Sequence, residues 1–185
     1  AFFPSPRAVA SAFHDDRASL EAALEIAEAC RFDLDLRTRK LPRFAVPAGE
    51  EAQATLRRIA TKGLRERMSA AGADPAEWRE ALETLDRELA VIGAKGLADY
   101  FLICWDIVRF ARSRGMPSLG RGSAGNSIVS YALGITHVNP LRHNLFFERF
   151  LNPEREHLPD FDIDFGTDDR EEVLRYIFRR YGAER

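Results

Sequence analysis

Pro159-Asp160-Phe161-Asp162-Ile163-Asp164-Phe165 alternates acid and large apolar residue without a break. Successive side chains of a β-strand point to opposite faces. The alternation therefore predicts a strand with Phe161, Ile163 and Phe165 turned to a core and Asp160, Asp162 and Asp164 sharing the other face. Neighbouring carboxylates on such a face stand roughly 6–7 Å apart, a crowding that a cation relieves. Carboxylate oxygens suit Mg²⁺, and pairs of Mg²⁺ ions held by acids recur in phosphoryl transfer. A second reading of the same residues stays open: three acids on one strand face also serve as a solvated face that protects a sheet edge.

Upstream, Gly120-Arg121-Gly122-Ser123-Ala124-Gly125-Asn126-Ser127 leads into a helical stretch, Ile128 to Leu133. Glycines let backbone N–H groups turn inward, and a helix N-terminus adds a favourable dipole. An anion cradle is predicted, with the Ser123 hydroxyl as a donor and Arg121 as a fixed charge. The formal match to G-x-G-x-x-G does not carry a dinucleotide reading, because a buried helix and Pro117 precede it rather than a clear strand. Nor is it a P-loop, since no Lys-Ser/Thr follows the last glycine. A tight loop leading a helix, with no ligand, is the plainer alternative. Between loop and acids, Arg149 lies among apolar residues and is expected to be buried. A buried guanidinium requires a phosphate, a carboxylate ligand or a strand aspartate as its partner.

Composition bounds the rest. The chain has 185 residues, 45% hydrophobic and 30% charged, ordinary for one globular domain or a small domain with an appendage. No long uncharged apolar run indicates a transmembrane helix, and no signal-peptide pattern opens the chain. It begins with Ala1 rather than Met, which is expected of a piece of a longer protein. Cys30 and Cys104 are far apart, so neither a zinc site nor a disulfide framework is expected, and a reducing compartment is the default. His14, His137, His143 and His157 are isolated and lack helical metal-ligand spacing. A net charge of −2 gives no global sign of nucleic-acid binding.

Along the chain, Ser5-Pro6 predicts a helix start. Asp15 or Asp16 caps a second helix to about Ala29, with Leu20, Ala23, Leu24, Ile26 and Ala27 facing a core. Phe32 to Leu36 alternates as a short strand, and 37–49, with Pro42 and Pro47, reads as a connector. A helix follows from Glu50 to Ala70, exposing Arg57, Arg58, Arg65 and Arg67. Asp74-Pro75 starts the next, whose buried stripe is Trp78, Leu82, Leu85, Leu89 and Ile92, ending at Gly93 or Gly96. Leu97 to Arg114 is apolar almost all round and reads as a buried helix, stopped by Gly115. A last helix runs from Asp168, with Glu171 in a capping box, to a stop at Gly182. Its buried stripe is Val173, Leu174, Ile177 and Phe178, with Arg175, Arg179 and Arg180 outward.

Four segments stand in order: Gly120-Arg121-Gly122-Ser123; Tyr131-Ala132-Leu133-Gly134-Ile135-Thr136; Phe147 through Arg155; and Pro159 through Phe165. This order closely resembles the palm domain of the C-family bacterial DNA polymerases, which include the alpha subunit of DNA polymerase III. The resemblance is strongest from about Tyr100 to Gly182. Residues 1–47 resemble the exit from that family's polymerase-and-histidinol-phosphatase domain plus a connector, leaving 48–185 as the N-terminal portion of the palm. The resemblance implies an α+β fold: a polymerase-beta-like nucleotidyltransferase palm with a helix-rich N-terminal part packed on a small mixed sheet.

It also implies DNA-templated deoxynucleotidyl transfer to a primer 3′-hydroxyl with two Mg²⁺ ions. In the family pattern Asp160 and Asp162 are catalytic metal ligands and Asp164 a supporting acid; Arg121, Gly122, Ser123 and Arg149 take the nucleotide triphosphate. Implied partners are primer-template DNA, deoxynucleoside triphosphates, and a sliding clamp and other replication or repair subunits reached through other regions, with no membrane and a cytoplasmic location. The family's third catalytic acid lies beyond Arg185, so this piece alone is not expected to polymerise. Asn126 before Ser127 is a pattern more like the error-prone branch. A non-catalytic scaffold that binds nucleotide or DNA is the alternative of a different class.

Overall fold

A computed structural model describes residues 3–31, 42–152, 154 and 158–182. The predicted strand at Phe32–Leu36 and His157 lie outside the described residues. The chain divides into two compact units, Ala1–Arg39 and Lys40–Arg185.

In the first unit, α1 (Pro6–Ala12) starts as predicted: Ser5 caps it by accepting from the Ala8 N–H, with Pro6 at the first helical position. α2 (Arg17–Ala29) is capped by Asp16, which accepts from the Ser19 N–H. The stripe expected to face a core does not. Leu24 and Ile26 are 68% and 64% exposed, and neither helix buries a residue. Two short helices cannot by themselves enclose an apolar stripe.

The second unit is helix-rich α+β. α3 (Ala52–Ala70) turns Leu56, Ala60, Leu64 and Met68 inward at four-residue intervals. Arg57, Arg58 and Arg65 are exposed as expected, but Arg67 lays its guanidinium over the Tyr131 ring, 4.2 Å from its centre. α4 (Pro75–Ala94) opens on a full capping box between Asp74 and Glu77. It closes at Gly96 rather than Gly93. The Leu97 N–H donates to the Ile92 carbonyl and the Gly96 N–H to that of Gly93, with Gly96 at φ +64°. Its buried side is Ala81, Thr84, Leu85, Glu88, Leu89 and Ile92; Leu82 faces outward and Trp78 is half-buried.

α5 (Ala98–Ser113) is the buried helix that the sequence predicted, stopped by Gly115 at φ +74°. It is not wholly apolar, because Asp106 is fully buried within it. Four donors satisfy that carboxylate: the Tyr176 and Tyr181 hydroxyls, Arg109, and Arg180 at 2.7 Å. Three of them come from α7 (Arg170–Tyr181), which docks on α5 through this acid and through Phe110 stacked on Tyr176 at 3.9 Å. The inward face of α7 is therefore Val173, Tyr176 and Ile177, while Leu174 and Phe178 are exposed, as is Arg180, which still reaches Asp106. Asp169 is its N-cap, without a side-chain bond, so the expected capping box at Asp168 does not form.

The sheet is smaller than expected and purely antiparallel, not mixed. Among the described residues it has two strands, β1 (Ser118–Arg121) and β2 (Asp162–Phe165). Between them run a 3₁₀ turn at Gly122–Asn126, α6 (Ile128–Ala132), and 3₁₀ turns at Leu141–His143 and Phe147–Arg149. Phe161 and Ile163 pack on the main core and Phe165 on a satellite cluster with Met116 and Val173. Both cysteines are free; Cys104 is buried, its thiol pushed up to about 12 by burial, and Cys30 is exposed just past α2.

α3 crosses α6 at Gly63, where a Cβ would stand 2.1 Å from the Ala132 carbonyl oxygen. In an open helix Gly→Ala stabilises by about 1 kcal/mol; here Gly63→Ala is expected to destabilise by roughly 2 kcal/mol through overpacking. Urea unfolding reads the difference, and an unchanged or raised midpoint would show that the helices can separate at no cost.

Candidate functional site

The two motifs that open the sequence reading meet at one end of the β1–β2 ribbon. In its register Arg121 faces Asp162, Gly120 faces Ile163 and Leu119 faces Asp164. The strand preceding the glycine loop is one that the sequence reading did not see. It is four residues long and half of it is Gly120 and Arg121, so no alternating pattern develops. Gly120 is required there by close approach: its N–H donates to the Ile135 carbonyl at 2.7 Å, and a Cβ would lie 2.5 Å from that oxygen. The chain then turns at Gly122, φ +65°, where a Cβ would stand 3.1 Å from Asp162 Oδ2. The loop glycine thus abuts the acid strand.

Asp160, Asp162 and Asp164 are exposed, and the residues alternating with them are half-buried. Asp162 and Asp164 lie within β2, and Asp160 precedes it. A cation does pair with two of these acids, Asp162 and Asp164, and it is Arg121. Its Nε is 3.1 Å from Asp164 Oδ2 and its Nη1 3.8 Å from Asp162 Oδ2. The hydrogen bond to Asp164, then the charges of Asp164 and Asp162, hold the guanidinium above its ordinary range. All three side chains are half or more exposed, so the pairing is a weak tether that water and salt compete with.

No three His, Cys, Asp or Glu side chains among the described residues gather as a ready metal cage. The donor set nonetheless suits Mg²⁺, which keeps several waters and takes one or two carboxylates alongside substrate phosphates: Asp160 and Asp162 are exposed oxygen donors flanking one residue. Ser123 is half-buried in the 3₁₀ turn, and Arg149 is exposed, contrary to the expectation of burial. Three residues per turn put Phe147 and Phe150 on one inward side of the Phe147–Arg149 turn and leave Arg149 outside it.

α6 does not offer its N-terminus to a ligand, as the cradle reading supposed. Glu88 of α4, 1% exposed, takes those groups: Ile128 N–H at 3.0 Å, Val129 N–H at 3.1 Å and the Ser127 hydroxyl at 2.7 Å. Ser127 Oγ in turn accepts from the Ser130 N–H. Burial pushes the Glu88 carboxyl up to about 7, against the opposing effect of its hydrogen bonds from Ile128, Ser127 and Val129 and the charge of Arg87.

Sequence reasoning missed Glu88, though an acid between Leu85 and Leu89 on a buried stripe was a usable signal. It also missed Tyr100, whose half-buried ring packs on Phe161 at 5.4 Å between centres. Burial first, then the charges of Cys104, Asp160 and Asp162, push the Tyr100 phenol up to about 12, while the nearby Phe161 backbone opposes them. Nothing in the sequence separates this tyrosine from its apolar neighbours on α5.

A carboxyl raised from 4.5 to about 7 in the folded state stabilises fully below its unfolded value, and the contribution is lost as pH rises through 7. Relative to Glu88→Gln, the wild type is expected to lose about 3 kcal/mol between pH 4.5 and 7.5, at about 1.4 kcal/mol per unit. Urea unfolding of both proteins at the two pH values tests this. A wild type that gains on the variant as pH rises would mean that the bonded carboxylate outweighs its burial.

Residues 54–185, which include the loop, the acid strand and the helices supporting both, match the family described as the bacterial DNA polymerase III alpha NTPase domain. An error-prone DNA polymerase of Methylococcus capsulatus is 47% identical over 169 residues, covering 91% of this chain and 16% of that protein. One from Pseudomonas paraeruginosa is 48% identical over 168 residues, 91% of this chain and 16% of that protein. DNA polymerase III subunit alpha of Bacillus subtilis is 46% identical over 166 residues, 89% of this chain and 14% of that protein. The chain thus spans about a sixth of the relatives it matches, and both polymerase branches match it almost equally. With every motif of the site inside the matched region, the chain belongs to the bacterial DNA polymerase III alpha NTPase domain family.

Proposed function

We propose that this chain forms part of the palm of a DNA-templated DNA polymerase, with a polymerase-beta-like nucleotidyltransferase fold, and that the glycine loop and acid strand make up its nucleotide-transfer site. The observation that carries the reading is the register pairing Arg121 with Asp162, with Gly122 against the Asp162 carboxylate. Two motifs far apart in sequence converge there on a small solvent-accessible face, as a site for a metal-bound triphosphate requires.

In this reading Asp160 and Asp162 hold Mg²⁺ and Asp164 supports them. Bound there, two ions supply activation of the primer 3′-hydroxyl and neutralise charge on the departing pyrophosphate. Gly122 and Ser123 give the triphosphate a close approach to backbone and a hydroxyl donor. Arg121 already counters the negative charge of Asp162 and Asp164; its planar fork suits phosphate oxygens equally well once those acids have another counter-ion. Arg149, exposed on its turn, is within reach of solvent-borne phosphate without any cost of uncovering it. Primer-template DNA and deoxynucleoside triphosphates are the substrates; a sliding clamp and other replication or repair subunits bind elsewhere in the longer protein, in the cytoplasm.

The pairing of Arg121 with two of the three acids also fits a second reading, a scaffold that binds nucleotide or DNA without turning it over. Primer extension by the full-length protein, wild type against Asp162→Asn, with Mg²⁺ and all four deoxynucleotides, separates the two. The polymerase reading expects a folded variant slowed by several orders of magnitude, since metal placement carries most of the rate. Equal rates would make the acids structural.

A further inference from the structure

An open cleft of about 400 Å³ shares no residue with the glycine loop or the acid strand. It lies between the segment that precedes α3, α3 itself, α5 and the end of α7. Phe44, Pro47 and Trp105 give it an apolar wall. Arg58, Lys62, Arg109 and Arg180 give it four cations, and among the described residues no carboxylate lines it. The wall is held in place: the Phe44 N–H donates to Asp99 Oδ1 at 2.7 Å, and the Phe44 and Trp105 rings meet edge-on with centres 6.3 Å apart. Arg109 lies over the Trp105 ring, 4.7 Å from its centre. Arg109 and Arg180 both bond the fully buried Asp106, at 3.0 and 2.7 Å. One carboxylate cannot cancel two guanidinium charges, and Asp106 is covered while both arginines are exposed. On the α3 side Arg58 pairs with Glu50 at 3.1 Å and Lys62 stands 3.8 Å from Glu66. Such exposed pairs are weak and exchange readily for another anion.

The cleft thus sets excess positive charge beside aromatic surface. An apolar molecule would leave the cations unused, and a bare inorganic anion would leave the rings unused. A nucleotide engages both, with phosphate and flat base, and the volume falls within the roughly 300–1,000 Å³ of pockets that take ligands of that size. The cleft is open and its cations stand on three helices, which suits a strand crossing it rather than one enclosed nucleotide. Basic grooves with aromatic side chains hold single strands in this way without reading sequence. We propose that this cleft binds single-stranded DNA, phosphates on the four cations and a base against Phe44 and Trp105, as a contact for the unpaired template outside the transfer site. The template assignment rests on the polymerase reading given above.

The test uses the full-length protein: wild type, Arg58→Ala/Lys62→Ala and Asp162→Asn. A primer-template whose single-stranded overhang carries 5-iododeoxyuridine is irradiated on the protein, and the crosslinked peptide is identified by mass spectrometry. Primer extension gives kcat and KM for DNA with a long or a short overhang, and the thermal midpoint reports folding. The expected crosslink is at Trp105 or Phe44, in the wild type and in Asp162→Asn alike. In Arg58→Ala/Lys62→Ala it is lost at a native midpoint and kcat. KM for the long overhang then rises about 5-fold, the size expected of two exposed ion pairs, and KM for the short one does not. The log–log salt dependence of that KM becomes shallower by about 1.4, at about 0.7 per phosphate contact. Crosslinks confined to other regions, or a full yield at Trp105 in Arg58→Ala/Lys62→Ala, would overturn the cleft while an inactive Asp162→Asn leaves the polymerase reading standing. A crosslink at Trp105 that free deoxynucleotide abolishes would overturn the strand in favour of a mononucleotide. Asp162→Asn extending primers like the wild type would overturn the polymerase reading, and the template role with it.

Discussion

The carboxylate of Glu88 reaches across from α4 to hold the first amides of α6, and the loop depends on that reach. A five-residue helix has no stability of its own in water, because nucleation costs more than so few bonds return. Here its leading donors find a fixed acceptor in the core. At the other end of the same segment, Ile135 returns its carbonyl to the Gly120 amide. The glycine loop is thus pinned on both sides, before its first turn by Ile135 and after its last by Glu88. The arrangement burdens the core with an ionisable group in exchange for a loop that need not be ordered when a ligand arrives.

The acid strand is fixed differently, by aromatic packing rather than by buried charge. Its apolar side spans two clusters, with Phe161 and Ile163 on the main core and Phe165 under α7. α5 underlies both: Phe101 packs on Phe161 near its start, and Asp106 and Phe110 hold α7 farther along. The charged side of the strand is left in water, where its acids and Arg121 can change partners cheaply.

Much of this was legible in the sequence, because period-two alternation and helix punctuation act locally. The strand at Asp162–Phe165, the capping box at Asp74, and the stops at Gly96, Gly115 and Gly182 all follow from short-range rules. The failures have a common cause in long-range partners. Arg180 is exposed as expected, but its ion pair with Asp106 could not be foreseen, because that acid lies in a different helix. Leu24 and Ile26 were assigned to a core that the two short helices do not enclose. Arg149 was judged by its apolar neighbours in sequence, although a three-residue turn sends them one way and it the other. The resemblance to the polymerase palm marked Asp160, Asp162, Gly122 and Ser123, but only the fold reveals that Glu88 and Tyr100 stand behind them.

The two cysteines differ in a way that has a practical use. Burial keeps Cys104 a protonated, inaccessible thiol, while Cys30 lies open at the end of α2. Thiolate chemistry is governed by access and by acidity, so a maleimide dye or a spin label added to the native chain goes to one position without any engineering. That position lies in the unit that carries none of the loop or strand residues. The sequence of this chain thus supplies one exposed thiol for a reporter, at a position outside the loop and the strand.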